Sequence, residues 1–259
     1  MNHWQKYKSL YVFLAWLLSG IAFSVMLLKA KQAYSMLVCT GIEVKIDYSA
    51  GTRFVDATGI RKLIVNKMPN TNANALVQQI NLQVIEDYLE MNPHIENAEL
   101  YFDYTGKMWA EISQRTPLLR VVNANNISYY ISNEGKKMPV SEDFTARVPM
   151  ATGNIKDNDK TDGDIDTPIV RDLFELCLYL KQFDFLQSLT EQIYVNSDGD
   201  MVIIPKIGKH KIVIGNAENL DDKFEKLQVF YRQAMPYVGW STYETINLKF
   251  ANQIVCTKR

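Results

Sequence analysis

The chain has 259 residues, of which 47% are hydrophobic and 22% are charged, and its formal net charge is −1. This hydrophobic fraction is ordinary for a folded protein, so the composition excludes a chain that is disordered throughout. A charge so close to zero gives no support for nucleic-acid binding, which relies on clustered positive charge. The length predicts one or two domains.

The strongest pattern near the N-terminus is an uncharged apolar run from Leu10 to Leu28, which includes Trp16. At about 1.5 Å per residue, a helix of this length nearly spans a bilayer core of about 30 Å. The run is too long for the apolar region of a cleaved signal peptide, and lysines follow it where cleavage requires small residues. We therefore predict an uncleaved transmembrane signal anchor at residues 10–28.

The orientation of this anchor is nearly balanced by local charge, because two lysines precede the apolar run and two follow it. The free amino terminus favours an N-terminus inside the cell, with residues 1–9 as a short cytoplasmic tail. This tail is too short to be a domain, so the folded part lies on the other side of the membrane. In a bacterium that side is the periplasm. Residues 29–40 carry no turn signal and are predicted to be a juxtamembrane segment.

The next segment, residues 41–117, is predicted to fold in the order strand, helix, helix, strand, strand. Asp56 or Thr58 is the expected N-cap of the first helix, and Asn81 is the expected N-cap of the second. The polar stretch 69–80 between them is predicted to be a loop. Two alternating stretches joined by a glycine-containing turn then predict a β-hairpin.

The remaining segment, residues 118–259, is predicted to be a mostly antiparallel β domain with two long helices. Thr167 and Pro168 are expected to start the first of these helices, since proline is favoured at the first helical position. The second helix is expected to end at Pro236. The fold class is therefore α+β, with one transmembrane helix at the N-terminus.

The chain ends on a predicted β-hairpin. Ile246, Leu248 and Phe250 alternate with polar residues, which is typical of a half-buried strand and favours burial of Phe250 in the core. Asn252 belongs to a predicted tight turn, and Gln253 to Thr257 form the predicted last strand. A terminal strand can leave an open sheet edge. The alternative is that residues elsewhere in the chain, at 118–131, cover it.

Residue patterns typical of catalytic or metal sites are absent from the sequence. The three histidines lack a second His or Cys at metal-ligand spacing, and neither a nucleophile elbow nor a phosphate-binding loop is present. The three cysteines, Cys39, Cys177 and Cys256, cannot all pair, and Cys177 fits an apolar helix position. We predict no catalytic residue, no metal and no cofactor.

An acidic stretch, DNDKTDGDID at residues 157–166, resembles a calcium-binding loop but fails the comparison with the EF-hand. Aligning Gly163 with the glycine of that loop places Lys160 at a ligand position. It also places Ile169 where a bidentate Glu is required. The stretch is therefore predicted to be a solvated acidic linker.

Four stretches, in their order and spacing, resemble the FtsQ/DivIB family of bacterial cell-division proteins. They are NPHIENAELYFDYTGKMWAEISQRTPLLRV, ISYYISNEGKKMP, ARVPMATGN and INLKFANQIVCTKR. The resemblance covers nearly the whole chain and implies a POTRA domain at 41–117 followed by a β domain at 118–259. It also implies an inner-membrane scaffold of the division machinery, located at the septum and without enzymatic activity.

The same resemblance implies how such a scaffold binds its partners. Members of this family bind the small coiled-coil division proteins FtsB and FtsL through the β domain, while the POTRA domain recruits other division components. The partner adds a strand at the C-terminal edge, where main-chain hydrogen bonds supply affinity. Lys249 and Phe250 match the charged–aromatic pair that closes the penultimate strand. The edge strand itself matches Gln253, Ile254, Val255, Cys256 and Thr257.

Two other functions remain open from the sequence. The first is a membrane-anchored periplasmic hydrolase whose site the sequence does not reveal, although the shortage of histidines disfavours it. The second is another POTRA-containing component of protein translocation or assembly. Such proteins usually attach POTRA repeats to a membrane barrel, whereas this sequence indicates one POTRA unit and one helical span.

Overall fold

A computed structural model of the protein describes residues 3–68 and 75–259, so part of the loop expected at 69–80 lies outside the described residues. The chain divides into two compact units. The first comprises Met1–Ile46, Asp56–Met91 and Asn97–Ile112, and the second comprises Asp47–Val55, Asn92–Glu96 and Ser113–Arg259.

The first element is a long helix, α1 (His3–Ser35), which contains the whole apolar run from Leu10 to Leu28. Its stretch Tyr11–Lys29 has a mean hydropathy of 2.2 over 19 residues, and Trp16 is among its exposed side chains. By length and composition this is the one helix within the described residues that is able to cross a membrane.

The rest of the first unit is a three-stranded sheet with two helices. In chain order the elements are β1 (Gly41–Asp47), α2 (Ala57–Lys67), α3 (Leu82–Glu90), β2 (Ile95–Phe102) and β3 (Lys107–Gln114). The strand order is β1-β3-β2, so β2 lies at an edge. A short 3-10 turn at Val77–Gln79 precedes α3. This is the predicted order of strands and helices.

Side-chain caps explain where α2 and α3 begin. The Asp56 carboxylate accepts hydrogen bonds from the backbone N–H groups of Thr58 and Gly59. The Asn81 side chain accepts one from the N–H of Val84. These bonds satisfy N–H groups that have no partner within the helix.

The second unit is built around a ten-stranded sheet. Its strands are β4 (Pro117–Val122), β5 (Ser128–Ser132), β6 (Lys136–Pro139), β7 (Met150–Gly153), β8 (Gly163–Asp164), β9 (Thr190–Val195), β10 (Met201–Pro205), β11 (Lys211–Gly215), β12 (Tyr243–Asn247) and β13 (Val255–Lys258). They lie in the order β13-β12-β11-β10-β9-β7-β4-β5-β6-β8. Neighbours are antiparallel except β11–β12, β4–β7 and β7–β9, which confirms the mostly antiparallel prediction.

Two long helices, α4 (Pro168–Lys181) and α6 (Leu220–Gln233), pack their apolar sides into the core of this unit. The core includes helix residues and inward-facing strand residues: Leu173, Leu176, Cys177, Phe224, Leu227, Ile193, Ile203, Ile212 and Ile246. Pro168 starts α4 as predicted.

Two short helices were not predicted, α5 (Asp184–Leu189) and α7 (Met235–Val238). The prediction that Pro236 ends the second long helix is wrong. That helix already ends at Gln233, and Pro236 lies in the first turn of α7. Pro236 fits in the first turn because proline has no backbone N–H, and the N–H groups of a first turn have no acceptor within the helix.

Most residues of the acidic stretch 157–166 are exposed, as predicted for a solvated linker, but Asp157 is not. The side chains of Asp157 and Lys137 are fully buried, with the ammonium of Lys137 3.5 Å from Asp157 and 3.1 Å from Asp166. Lys137 also donates to Asn158 at 3.1 Å. Sequence reasoning missed this because the lysine lies about twenty residues earlier, on strand β6.

Two further side chains complete this buried polar network. The hydroxyl of Tyr129 and the amide of Asn123 both donate to the Asp157 carboxylate. Burial raises the pKa of Asp157, but the hydrogen bonds from Tyr129 and Asn123 outweigh it and hold the pKa below the ordinary value. The ionised carboxylate therefore stabilises the fold above about pH 4, and this contribution is lost as the pH falls through the lowered pKa.

We predict that Lys137→Met destabilises the second unit by about 3–5 kcal/mol, because it leaves the Asp157 charge buried without its cation. The matched control is Lys136→Met, which removes an exposed ion pair with Asp164 and should change stability by less than about 1 kcal/mol. Pulse proteolysis of the full chain across a urea series measures both effects. Equal stabilities of the two variants would contradict the structural role of the network.

Candidate partner-binding edge

The last strand, β13, lies at the end of the ten-stranded sheet and is paired on one side. It runs antiparallel to β12, with Ile246 opposite Cys256 and Asn247 opposite Val255. No strand among the described residues flanks its other side. The alternative in which residues 118–131 cover the last strand is wrong, because that stretch contributes to β4 and β5, which pair with other strands.

The direction of the backbone groups on β13 follows from a hydrogen bond just beyond its end. The N–H of Arg259 donates to the carbonyl of Thr242, which precedes β12. Because successive residues of a strand point their N–H groups to opposite sides, Thr257 and Val255 also face β12. The N–H groups of Cys256 and Lys258 therefore face the open edge.

The strand begins later than we predicted. Gln253 and Ile254 lie before β13, and Lys258 belongs to it. Asn252 adopts a left-handed conformation with φ of 59°, as expected for a turn. Gln253 and Ile254 follow this turn before the chain pairs with β12, and the Ile254 side chain packs against the core.

Side chains of β13 divide between the core and the solvent. Cys256 packs against the core, and burial raises the pKa of its thiol. Val255 is 42% exposed, and Thr257 and Lys258 are also exposed. The accessible part of the edge therefore offers one apolar side chain, one hydroxyl and one cation beside the outward N–H groups.

Lys249 is held by contacts within the unit. Its ammonium lies 2.7 Å from the carboxylate of Asp200, which precedes β10. Its aliphatic stem lies against Gly215, where an added Cβ would be 2.9 Å from the Lys249 Cγ. Gly215 also has a φ of 80°, so glycine is favoured at this position for both reasons. Lys249 thus ties the connection after β12 to the neighbouring strands.

Phe250 is not buried in the core, contrary to the expectation from its alternation with Ile246 and Leu248. Strand β12 ends at Asn247, whose side chain accepts a hydrogen bond from the N–H of Lys249 at 3.0 Å. This local turn breaks the alternation after Leu248, which is fully buried, and leaves Phe250 45% exposed. Phe250 lies in the connection between β12 and β13, close in sequence to the open edge.

Helix α6 supports the connection between the last two strands. The ammonium of Lys226 donates to the carbonyl of Phe250 at 2.8 Å and pairs with Asp222 at 2.9 Å. Beside this contact is a groove of about 420 Å³, lined in part by Val229, Phe230 and Ile254. Sequence reasoning missed these helix residues. The spacing of Asp222 and Lys226 indicates only an ion pair within the helix.

The architecture and the edge together define a class of protein with one candidate membrane span, a small α/β unit and a β unit that ends on an open strand. Comparisons with known proteins agree with this class. A family model described as "FtsQ/DivIB, C-terminal related" matches residues 116–257, and one described as a POTRA-like domain matches residues 37–113. The first match covers more than half of the chain, which therefore belongs to the FtsQ/DivIB family.

A relative in Rhodothermus marinus, named cell division protein FtsQ, is 23% identical over 209 residues. The match covers 79% of this chain and 74% of that protein. It therefore extends over most of both chains.

We predict that Lys226→Met loosens the connection between β12 and β13, because it removes the donor to the Phe250 carbonyl. A loss of roughly 1 kcal/mol corresponds to about fivefold faster amide exchange across residues 248–254. Asp222→Asn is the matched control, since it removes the ion pair and keeps that donor. Similar exchange in Lys226→Met and wild type would show that the helix does not hold this connection.

Proposed function

We propose that this protein is a non-enzymatic scaffold of the bacterial cell-division machinery, anchored in the inner membrane and acting at the septum. Membership of the FtsQ/DivIB family and the name of the Rhodothermus relative support a role in division. Residues 10–28 form the anchor, the N-terminus lies inside, and the two folded units, with domain limits at 41–117 and 118–259, lie in the periplasm.

The observation that carries this proposal is the unpaired side of β13. Cys256 and Lys258 present backbone N–H groups in the plane of the sheet, and an extended partner segment satisfies such groups by adding a strand. Few other occupants satisfy them as completely, because an edge requires donors and acceptors at strand spacing. The proposed partners are single-span division proteins of the FtsB and FtsL type.

Side chains around the edge then supply specificity. Val255 and Thr257 contact alternate side chains of the added strand, and Gln253, Ile254 and the ring of Phe250 border its path. Lys249 contributes chiefly by holding the connection after β12 in place, because its charge is already paired with Asp200. The POTRA-like domain is proposed to contact other division components. Residues of the edge and the rim are thus assigned to binding, and none to catalysis.

We predict that Lys258→Pro weakens binding of the partner roughly tenfold or more. Proline removes the outward N–H and places its ring where the partner strand approaches. The β12–β13 hairpin should persist, because this N–H does not face β12. Lys258→Ala is the matched control and should retain binding. Ile254→Pro is a weaker test, since the Ile254 side chain also packs against the core.

The measurement is co-purification of the full chain with tagged FtsB-like and FtsL-like proteins, followed by titration of the purified complex. Amide exchange in β12 checks that the hairpin is intact in the proline variant. Full binding by Lys258→Pro with an intact hairpin would refute strand addition at this edge.

A further inference from the structure

A cavity of about 620 Å³ lies in the second unit, lined by the corner between α4 and α5, by helix α6 and by the segment that follows α7. Its volume falls in the range of about 300–1,000 Å³ that is typical of ligand pockets. Three of its side chains are exposed aromatic rings, with exposed fractions of 39% for Phe183, 50% for Phe185 and 38% for Trp240. Exposed apolar side chains that lie together mark interaction sites, whereas isolated ones do not. This cavity shares no lining residue with the groove beside β13.

Aromatic contacts behind the cavity hold the Trp240 ring in place. The ring packs edge-on against Tyr231, with centroids 5.2 Å apart, and faces the ring of His210 at 6.4 Å. His210 is buried, and its Nε2 lies 2.5 Å from the Tyr231 hydroxyl, so that hydroxyl is already occupied. The exposed part of Trp240 is therefore fixed before any ligand arrives, and a fixed wall loses little conformational entropy on binding.

Polar groups around these rings have no hydrogen-bond partner among the described residues. They are the side-chain amides of Gln182 and Gln228, the guanidinium of Arg232 and the indole N–H of Trp240. All four groups donate hydrogen bonds, whereas the Asp184 carboxylate, which also lines the cavity, only accepts them. The charges of Arg232 and Asp184 are opposite, so the lining has no net charge. The cavity therefore suits a neutral ligand that is rich in acceptors.

A proline-rich segment in the polyproline II conformation has these properties. Its backbone carbonyls are free because the helix has no internal hydrogen bonds, and its prolines have no N–H groups. Proline rings pack in aromatic-lined grooves, and the preformed helix loses little entropy on binding. We propose that this cavity binds a neutral proline-rich segment of a partner protein.

The residues divide this task between packing and hydrogen bonding. Phe183, Phe185 and Trp240 pack against proline rings of the segment. The Gln228 amide, the Arg232 guanidinium and the Trp240 indole N–H donate to its carbonyls. This inference goes beyond the proposed function, because it uses none of the residues at the β13 edge and requires no added strand.

The test is a calorimetric titration of the full chain in detergent micelles with acetylated and amidated decaproline, a neutral peptide that forms a polyproline II helix. Phe185→Ala should weaken binding about tenfold, because a few aromatic anchors supply most of the affinity of such a site. Phe185 is half-exposed, so its removal leaves the core intact. The matched control is Tyr237→Ala, which removes a ring that is 88% exposed and does not line the cavity. This variant should bind like wild type.

A second pair of variants tests the hydrogen bonds. Gln228→Leu removes an amide of the cavity and keeps a side chain of similar size, so binding should weaken about threefold. Gln233→Leu makes the same change on another face of α6, where the residue lines the groove beside β13. Its affinity for decaproline should equal that of wild type.

Two further probes distinguish a proline-rich segment from other neutral ligands. A flexible glycine–serine peptide of the same length and the trisaccharide chitotriose should both fail to displace decaproline. Displacement by either probe would overturn the proposal, as would the absence of saturable binding at millimolar decaproline. Wild-type affinity in both Phe185→Ala and Gln228→Leu would also overturn it, because the peptide would then bind elsewhere.

Discussion

Backbone N–H groups on edge strands need hydrogen-bond partners, and this requirement organises both sheets of the protein. Within the described residues the two sheets have four edge strands, and three of them meet it in different ways. Strand β2 receives two carboxylates from a helix, and β8 consists of only two residues beside an exposed Lys136–Asp164 ion pair. Strand β13 keeps its outward N–H groups accessible. Short edges, charged edges and covered edges resist unwanted pairing, and no strand of the described residues covers the outer side of β13.

The buried network around Lys137 determines how the far edge of the large sheet is closed. Strand β8 is too short to hold its position by backbone pairing alone. It lies within the acidic stretch 157–166, which Lys137 fixes through Asp157 and Asp166 on either side of β8. Removing the lysine therefore affects more than one ion pair, because the position of the edge strand depends on it.

Much of the architecture could be predicted from local sequence signals. Asp56 and Asn81 cap the helices as expected, and Asn252 makes the predicted turn. These features depend on residues within a few positions of one another, which a single sequence displays directly. The open side of the last strand agrees with one of two expectations from the sequence, the other being that residues 118–131 cover it.

Features that depend on contacts between distant segments were not predictable. The burial of Asp157 depends on Lys137, and Lys226 supports a carbonyl of Phe250 from another element. Periodicity failed at Phe250 for a local reason, because the side chain of Asn247 ends the strand before the alternation is complete. Polar side chains can thus redirect a strand in ways that apolar spacing does not show.

The relation between sequence divergence and function follows from the same backbone requirement. The Rhodothermus relative is 23% identical to this chain over 209 residues, and the last strand here carries Val255 and Cys256. If affinity came from specific side chains, such divergence would threaten it. Main-chain hydrogen bonds need only an extended strand in the correct register. Contacts to the connection between β12 and β13 help to fix that register. Lys249 with Asp200, Gly215 and Lys226 all act on the connection that feeds β13. Under the proposed strand addition, residues that position the edge therefore contribute more to binding than its exposed side chains do.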